Sequence, residues 1–404
     1  MRGITAIELL IIGAWLASYL KIKEKFREDI LLVKKILFIY GTRPEAIKMA
    51  PLIKEFQKHP SQFKVAVCLT GQHRQMLDQI NSFFGIRGDY DLNLMKPNQT
   101  LFDIVSGCLL GLKPVLEHER PDLIFVQGDT ATVLAGALAA YFCKIPVAHL
   151  EAGLRSGDKF APYPEEMNRI LTGHVADWHF APTDRAVRNL RLEGITENVH
   201  KVGNTVIDAL HLGLDLIRQS GEEKYREYFN YINFSKRIIL VTGHRRENFG
   251  EGFEHICRAV ACMADNNDIE IVYPMHMNPN VREPVMKHLS HKRNVHLIEP
   301  LDYPYLIWLM EKCFFVLTDS GGIQEEAPAL GKPVLVMRDV TERQEGVEAG
   351  TARLVGADCG RIVSAAEELL FGGEAYKLMA NAVNPYGDGK TSERIVRILE
   401  EDLL

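Results

Sequence analysis

No Cys-x-x-Cys pair occurs in this chain, and its seven cysteines lie scattered at 68, 108, 143, 257, 262, 313 and 359 of 404 residues. That pattern argues against a structural zinc site and points to a reduced, cytoplasmic setting. His-Glu-x-x-His is also missing, although histidines stand at 73, 149, 174, 179, 244 and 276. A dedicated metal site is therefore not expected. Neither sign of charge is in excess: 47 Lys plus Arg stand against 53 Asp plus Glu, a formal net charge of -6. Such a balance excludes a general nucleic-acid binder but allows a local basic site for an anion. Hydrophobic residues make up 47% and charged residues 25%. Disorder, collagen and a coiled-coil rod are excluded by those values, and the length suits two or three domains.

A clear membrane-spanning run is lacking too. Ile4 to Leu20 is apolar apart from Thr5, Glu8 and Ser18, and Lys21 to Asp29 is dense in charge. Seventeen helical residues rise about 25 Å, short of a hydrocarbon core of ~30 Å, and Glu8 adds to the cost of spanning. Residues 1–33 therefore read as an atypical extension, expected to be helical. A weak anchor or interfacial helix in contact with a membrane is one reading. A translated upstream region, with the ordinary start near Val33-Lys34-Lys35, is the favoured one.

From residue 34 onward, short apolar runs alternate with helix-length segments. Ile36 to Tyr40, Val65 to Leu69, Leu123 to Val126 and Pro146 to Leu150 read as buried strands. Helical spacing recurs from Ala46 to Phe56, Gln75 to Phe84 and Ala131 to Phe142. The pattern restarts with strands at Arg237 to Val241, Ile269 to Tyr273, Val295 to Leu297, Phe314 to Leu317 and Pro333 to Met337. This predicts an α/β protein of two doubly wound Rossmann-like domains facing a cleft. The expected divisions are 34–204, a connection at 205–235, a second domain at 236–385, and a closing segment and helix at 386–404.

Ligands of such sheets sit beyond the carboxyl ends of strands, so the residues that follow each strand matter most. After the first comes Gly41-Thr42-Arg43-Pro44-Glu45, with Arg43 and Lys48 near a helix start that favours anions. It is not Gly-x-Gly-x-x-Gly, which weighs against a nicotinamide cofactor. Gln127-Gly128-Asp129-Thr130 follows the third strand, where Asp129 alone would suit a helix cap. Glu151 and then Pro164-Glu165-Glu166 with Arg169 follow the fourth. Carboxylates beyond buried strands are expensive unless paired or wet, so Asp129, Glu151 and Glu165 are expected to share one cleft. Grouped carboxylates raise one another's proton affinity, as acid–base work near neutral pH requires.

In the second half, His244 beside Arg245 and Arg246 suits a phosphate or a leaving-group oxygen. Ser320, Gly321 and Gly322 would offer backbone N–H groups to a diphosphate at a helix start, and Glu326 would accept from a ribose. A nucleoside diphosphate sugar is the ligand this implies. Gly387-Asp388-Gly389-Lys390-Thr391 ends like a phosphate loop, but Asn384 stands where that loop needs glycine.

These stretches, together with Gln72-His73-Arg74 and Asn384-Pro385-Tyr386-Gly387-Asp388-Gly389, resemble the non-hydrolysing UDP-N-acetylglucosamine 2-epimerases over about residues 34 to 399. The resemblance implies a glycosyltransferase-B-like fold, a homodimer, and interconversion of UDP-N-acetylglucosamine and UDP-N-acetylmannosamine with no metal or cofactor. It implies elimination and readdition of UDP through a 2-acetamidoglucal, in service of bacterial surface polysaccharides. By resemblance, Asp129, Glu151, Glu165 and His244 form the catalytic set. Arg43, Lys48 and Arg169 would offset phosphate or carboxylate charge, and Gln72, Gln75 and His276 would help line an allosteric site. Gln127 departs from the family, many of whose members have histidine there. A hydrolysing epimerase that releases free N-acetylmannosamine and a glycosyltransferase of the same fold are the rival readings, and a non-catalytic nucleotide-sugar sensor is a third.

Overall fold

The computed structural model describes residues 33–71, 74–96 and 98–404. The apolar run and charged stretch expected to form an N-terminal helix lie outside the described residues. A first, all-parallel sheet holds β1 (Lys34–Tyr40), β2 (Phe63–Leu69), β3 (Tyr90–Asp91), β4 (Leu123–Gln127), β5 (Val147–Leu150), β6 (Trp178–Ala181) and β7 (Val199–Lys201). Their spatial order is β3-β2-β1-β4-β5-β6-β7. The crossovers are α1 (Arg43–Gln57), α2 (Arg74–Phe83), α3 (Leu101–Glu119), α4 (Ala131–Phe142), α5 (Glu165–Val175) and α6 (Asp184–Leu192).

β1 is central because both its edges are paired, Ile36 lying beside Val65 on one side and Leu123 on the other, and residues 36–40 are buried. Such a strand reads as a continuous apolar run rather than an alternating one. Phe38 stacks on Phe125 with ring centroids 5.0 Å apart.

Two helices, α7 (Thr205–Ser220) and α8 (Glu223–Tyr228), lead to the second sheet. That sheet holds β8 (Arg237–Thr242), β9 (Ile269–Pro274), β10 (Val295–Ile298), β11 (Phe315–Thr318), β12 (Val334–Val336) and β13 (Ala352–Leu354), in the order β10-β9-β8-β11-β12-β13. Around it lie α9 (Glu251–Met263), α10 (Pro279–Leu289), α11 (Tyr303–Lys312), α12 (Gly321–Ala329), α13 (Gln344–Glu348), α14 (Cys359–Phe371) and α15 (Gly373–Ala380). The chain then returns to the first domain as α16 (Thr391–Leu403), where Asp208 accepts from the Ser392 amide at 2.7 Å and Trp178 Nε1 donates to Asp402 at 2.9 Å.

The connection is no loose tether. Ile207, Leu210, Leu214 and Ile217 of α7 are buried, and α7 packs on both α1 and α11. The stretch after α7 contributes core as well: Tyr225 and Phe229 are fully buried, and Phe229 stacks on Trp308 at 5.4 Å. Elements that the apolar pattern does not reveal include β3, β6, β7 and β13, of two to four residues each, too short to carry a period. Helix α3 is hidden by Gly107, Gly111 and Pro114, although Cys108, Leu112, Val115 and Leu116 form its buried stripe.

Candidate active site

In each sheet the strand order reverses at one point, between β1 and β4 in the first and between β8 and β11 in the second. Loops that leave adjacent strands there diverge to opposite faces and open a crevice. All four of those loops carry polar or charged residues noted above: Gly41 to Glu45, Gln127 to Thr130, Gly243 to Arg246, and Asp319 to Gly322.

The first turn is sealed from within. Glu45 is buried and accepts from the Gly41 and Thr42 amides at 2.8 and 2.6 Å and from the Thr130 hydroxyl at 2.5 Å. Burial pushes its carboxyl above the usual range, with those donors opposing. These amides are thus engaged by the chain's own carboxylate, so the expectation that an anion sits on this helix start is not supported. A Cβ at Gly41 would stand 1.9 Å from Thr70 Oγ1, so a larger residue there would displace the buried Thr70 hydroxyl. Through Thr130, Glu45 also braces the turn that carries Asp129.

Glu151 lies just beyond β5 with φ of 65°, a left-handed conformation unusual for a non-glycine residue and costing about 1–2 kcal/mol. Its surroundings hold it there. Lys48 Nζ donates to both its oxygens at 2.6 and 2.5 Å, Gln127 Nε2 donates to Oε2, and Asn204 Nδ2 donates to Oε1 at 3.0 Å. Burial alone would raise its proton affinity, but Lys48 and Arg343 outweigh burial and hold the carboxyl below its usual range. Lys48 is the counterpart. Burial disfavours its charge, yet Glu151 and Glu325 keep it above its ordinary value.

Asp129 differs in kind. It pairs with Arg169, at 3.2 Å, and Asn168 Nδ2 donates to its backbone carbonyl at 2.9 Å. Burial raises its proton affinity, Arg169 opposes, and the charges of Glu151 and Glu165 raise it further, leaving the carboxyl above the usual range. Glu165 opens α5, and its backbone carbonyl accepts from Arg169 Nε at 3.4 Å. Lys48, Asp129, Glu151, Glu165 and Arg169 are therefore one neighbourhood. It contains two carboxylates whose environments push their pKa values in opposite directions, an arrangement suited to acid–base chemistry.

Across the crevice, Asp319 is fully buried and its Oδ2 accepts the His244 and Arg245 amides, both at 2.8 Å. Its Oδ1 has no hydrogen bond among the described residues and lies 3.7 Å from His244 Nδ1. Burial lowers the His244 pKa, Asp319 opposes, and His276 and Arg245 lower it further. His276 stacks on His244 at 5.2 Å, so it adjoins that residue. Gln72 and the side chain of Gln75 lie outside the described residues.

Ser320 caps α12, its amide donating to Thr318 Oγ1 at 3.0 Å, and Gly321 and Gly322 open the helix. A Cβ on Gly321 would stand 2.9 Å from Glu342 Oε1. Glu326 is buried and accepts from Tyr303 OH at 3.0 Å. Burial pushes its carboxyl up to about 7, with the tyrosine opposing and Glu325 adding. Arg43 is near enough for its charge to act on Glu326 and Tyr303, and with Tyr303, Phe83 and Tyr225 it lines a cavity of about 540 Å³.

Three residues that sequence reasoning does not single out complete the crevice. Glu325 accepts from Arg343 Nε at 2.7 Å and from Asn204 Nδ2 at 2.8 Å. Burial raises its proton affinity, opposed by Arg343 and Lys48 and reinforced by Glu151. The only pointer to Glu325 was its place beside Glu326. Asn204 and Arg343 follow no apolar run that would have drawn attention to them. Among the described residues, no group of three or more His, Cys, Asp or Glu side chains is arranged to hold a metal ion.

A family model described as UDP-N-acetylglucosamine 2-epimerase matches residues 54–400. The chain is 53% identical, over 370 residues, to a UDP-N-acetylglucosamine 2-epimerase of Salmonella typhimurium; the match covers 91% of this chain and 98% of the relative. Its structure resembles the UDP-GlcNAc 2-epimerase of Neisseria meningitidis bound to UDP-GlcNAc, with a TM-score of 0.84, 49% identity, and coverage of 91% of this chain and 100% of that one. It also resembles the Methanocaldococcus jannaschii UDP-GlcNAc 2-epimerase in complex with UDP-GlcNAc and UDP, with a TM-score of 0.75, 36% identity, and coverage of 91% and 99%.

Proposed function

The chain belongs to the UDP-N-acetylglucosamine 2-epimerase family, and from that membership we propose how its own residues carry out the family's reaction. The enzyme reversibly converts UDP-N-acetylglucosamine into UDP-N-acetylmannosamine without hydrolysing the nucleotide. Its fold is the two-domain, glycosyltransferase-B-like one.

Inversion at carbon 2 breaks an unactivated C–H bond, and the proposed route makes that possible by letting UDP depart. A base takes the carbon 2 proton, the C–H electrons form the carbon 1–carbon 2 double bond, and the carbon 1–oxygen electrons leave with UDP. The resulting 2-acetamidoglucal takes UDP back at carbon 1 and a proton at carbon 2 from the opposite face. Two proton-handling positions are thus needed. Asp129 is the leading candidate, because its raised proton affinity lets it hold and release a proton nearer neutral pH. Glu151, fastened as an ion by Lys48, is the second candidate, and it takes a proton as that ion pair loosens. Glu165, at the start of α5, is the third carboxylate in reach of the same sugar.

On the second domain, Gly321 and Gly322 open α12 behind the Ser320 cap with amides that lack intrahelical acceptors, a setting that favours a diphosphate. His244, beside them in the β8 loop, assists departure and return of UDP. Glu326 accepts from the ribose hydroxyls, and Arg43 and Arg169 balance charge. His276, stacked on His244, is the element of the proposed allosteric site that lies within the described residues.

A homodimer is part of the proposal. Helices α3 and α4 pack side by side and expose Phe102, Leu110, Tyr141 and Phe142, a face suited to a second copy. The proposed setting is the cytoplasm, which agrees with seven free cysteines. No helix among the described residues is long and apolar enough to cross a membrane.

The single observation that carries the mechanism is the contrast, within one crevice, between Glu151, held by Lys48, Gln127 and Asn204, and Asp129, paired with Arg169. The test is product identity. Purified protein with UDP-N-acetylglucosamine and no added metal should yield UDP-N-acetylmannosamine by NMR. Free N-acetylmannosamine would indicate hydrolysis instead, and no new sugar without an acceptor would indicate a transferase.

A further inference from the structure

Asn204 stands where the chain crosses between the two domains. Its amide donates to the Tyr386 carbonyl at 2.7 Å, on the segment that carries the chain back toward α16. The two crossings touch. Gly203 has φ of 98° and Gly387 of 140°, and a Cβ on Gly203 would lie 3.4 Å from the Gly387 Cα.

The side chain is as fully engaged as the backbone. Oδ1 caps α7 by accepting the Val206 amide at 3.1 Å. The two Nδ2 hydrogens go to different domains, one to Glu151 Oε1 at 3.0 Å and the other to Glu325 Oε2 at 2.8 Å. Asn204 is only 3% exposed. Lys48 backs Glu151 from the first domain and Arg343 backs Glu325 from the second, so two buried ion pairs face each other across one carboxamide. A primary amide provides two donors and one acceptor at that spot without adding charge.

We propose that Asn204 is a positioning residue, whose carboxamide holds the Glu151 carboxylate against Glu325 of the second domain and so assembles the acid–base site only when the domains are closed. This rests on the epimerase reading above, because it assigns Asn204 a task in that reaction. Cutting the bridge misplaces Glu151 during turnover while leaving the diphosphate site intact. It also loosens closure, so some UDP and 2-acetamidoglucal escape before readdition.

The test separates this task from helix capping. Asn204→Ser keeps a capping oxygen but cannot reach both carboxylates. Asn204→Asp keeps size and cap but replaces the donors with a charge. The expected result for the serine variant is kcat lowered about 10–100-fold with KM for UDP-N-acetylglucosamine changed less than about threefold. The fraction of turnovers that release free UDP should rise, a ratio that does not depend on how much protein is folded. Asn204→Asp should lose at least as much kcat. Wild-type kcat and UDP release in a folded serine variant would overturn the inference, as would failure of both variants to fold, which would make the residue structural. If the wild-type protein itself forms no UDP-N-acetylmannosamine, it is the epimerase reading that fails.

Discussion

Replacing Lys48 by methionine removes a charge but keeps most of the aliphatic stem. In the wild-type protein Lys48 Nζ lies 2.6 and 2.5 Å from the two oxygens of Glu151, with side chains 16% and 6% exposed. Removing one partner of a buried pair costs about 3–5 kcal/mol, because the other charge is left without its counterion. Arg343, Gln127 and Asn204 still face Glu151, which argues for the lower end of that range. The pH dependence follows from the direction of the shift. With Lys48 present, the Glu151 pKa is held below its unfolded value, so its contribution is full above that value and lost as pH falls through the folded pKa. Without Lys48, burial and Glu325 push the pKa upward, and the variant is relieved as pH falls and Glu151 takes a proton. The gap between the proteins should therefore be widest near pH 8 and narrow toward pH 5. A loss of 3–5 kcal/mol corresponds to roughly 6–20 °C in the thermal midpoint, measured by circular dichroism at both pH values. A midpoint loss of equal size at both, or one below about 2 °C at pH 8, would refute this reasoning.

Asp129→Asn should keep the fold and bind UDP but lower kcat about 10²–10⁴-fold; steady-state rates near wild type would remove it from the acid–base pair. Burial pushes the Glu326 carboxyl up to about 7, and ionisation improves it as an acceptor for ribose hydroxyls, so KM for UDP-N-acetylglucosamine should fall up to about tenfold from pH 6 to 8. Glu326→Gln should flatten that trend, and an unchanged slope would assign it to another group. Phe102→Glu combined with Leu110→Glu should turn a dimer into a monomer by sedimentation, whereas a wild-type monomer or a variant dimer would count against the α3–α4 face.

Much of this crevice is legible along the chain because doubly wound sheets place their chemistry just after apolar runs. Ile36 to Tyr40 leads to Gly41 and Lys48, Leu123 to Val126 leads to Asp129, and Phe314 to Leu317 leads to Asp319 and Ser320. The remainder depends on distance in sequence. Asn204 is 53 residues from Glu151 and 121 from Glu325, and nothing local marks a helix cap as a bridge between domains. Glu45 resembles an ordinary first-turn acid, and only the folded chain reveals that it occupies the amides an anion would have used. Tyr225 and Phe229 sit among charged residues, and only the folded chain brings them against Trp308, about 80 residues further on.

Solvent exchange at carbon 2 tests the central claim most directly, that proton-handling carboxylates in this crevice remove the carbon 2 proton and deliver a solvent-derived one to the opposite face. The protein is incubated with UDP-N-acetylglucosamine in D₂O and the sugar followed by proton NMR. The account expects the carbon 2 proton signal to fade as UDP-N-acetylmannosamine appears, with both nucleotide sugars intact and deuterated at that carbon. Epimerisation with full retention of the original proton would contradict it.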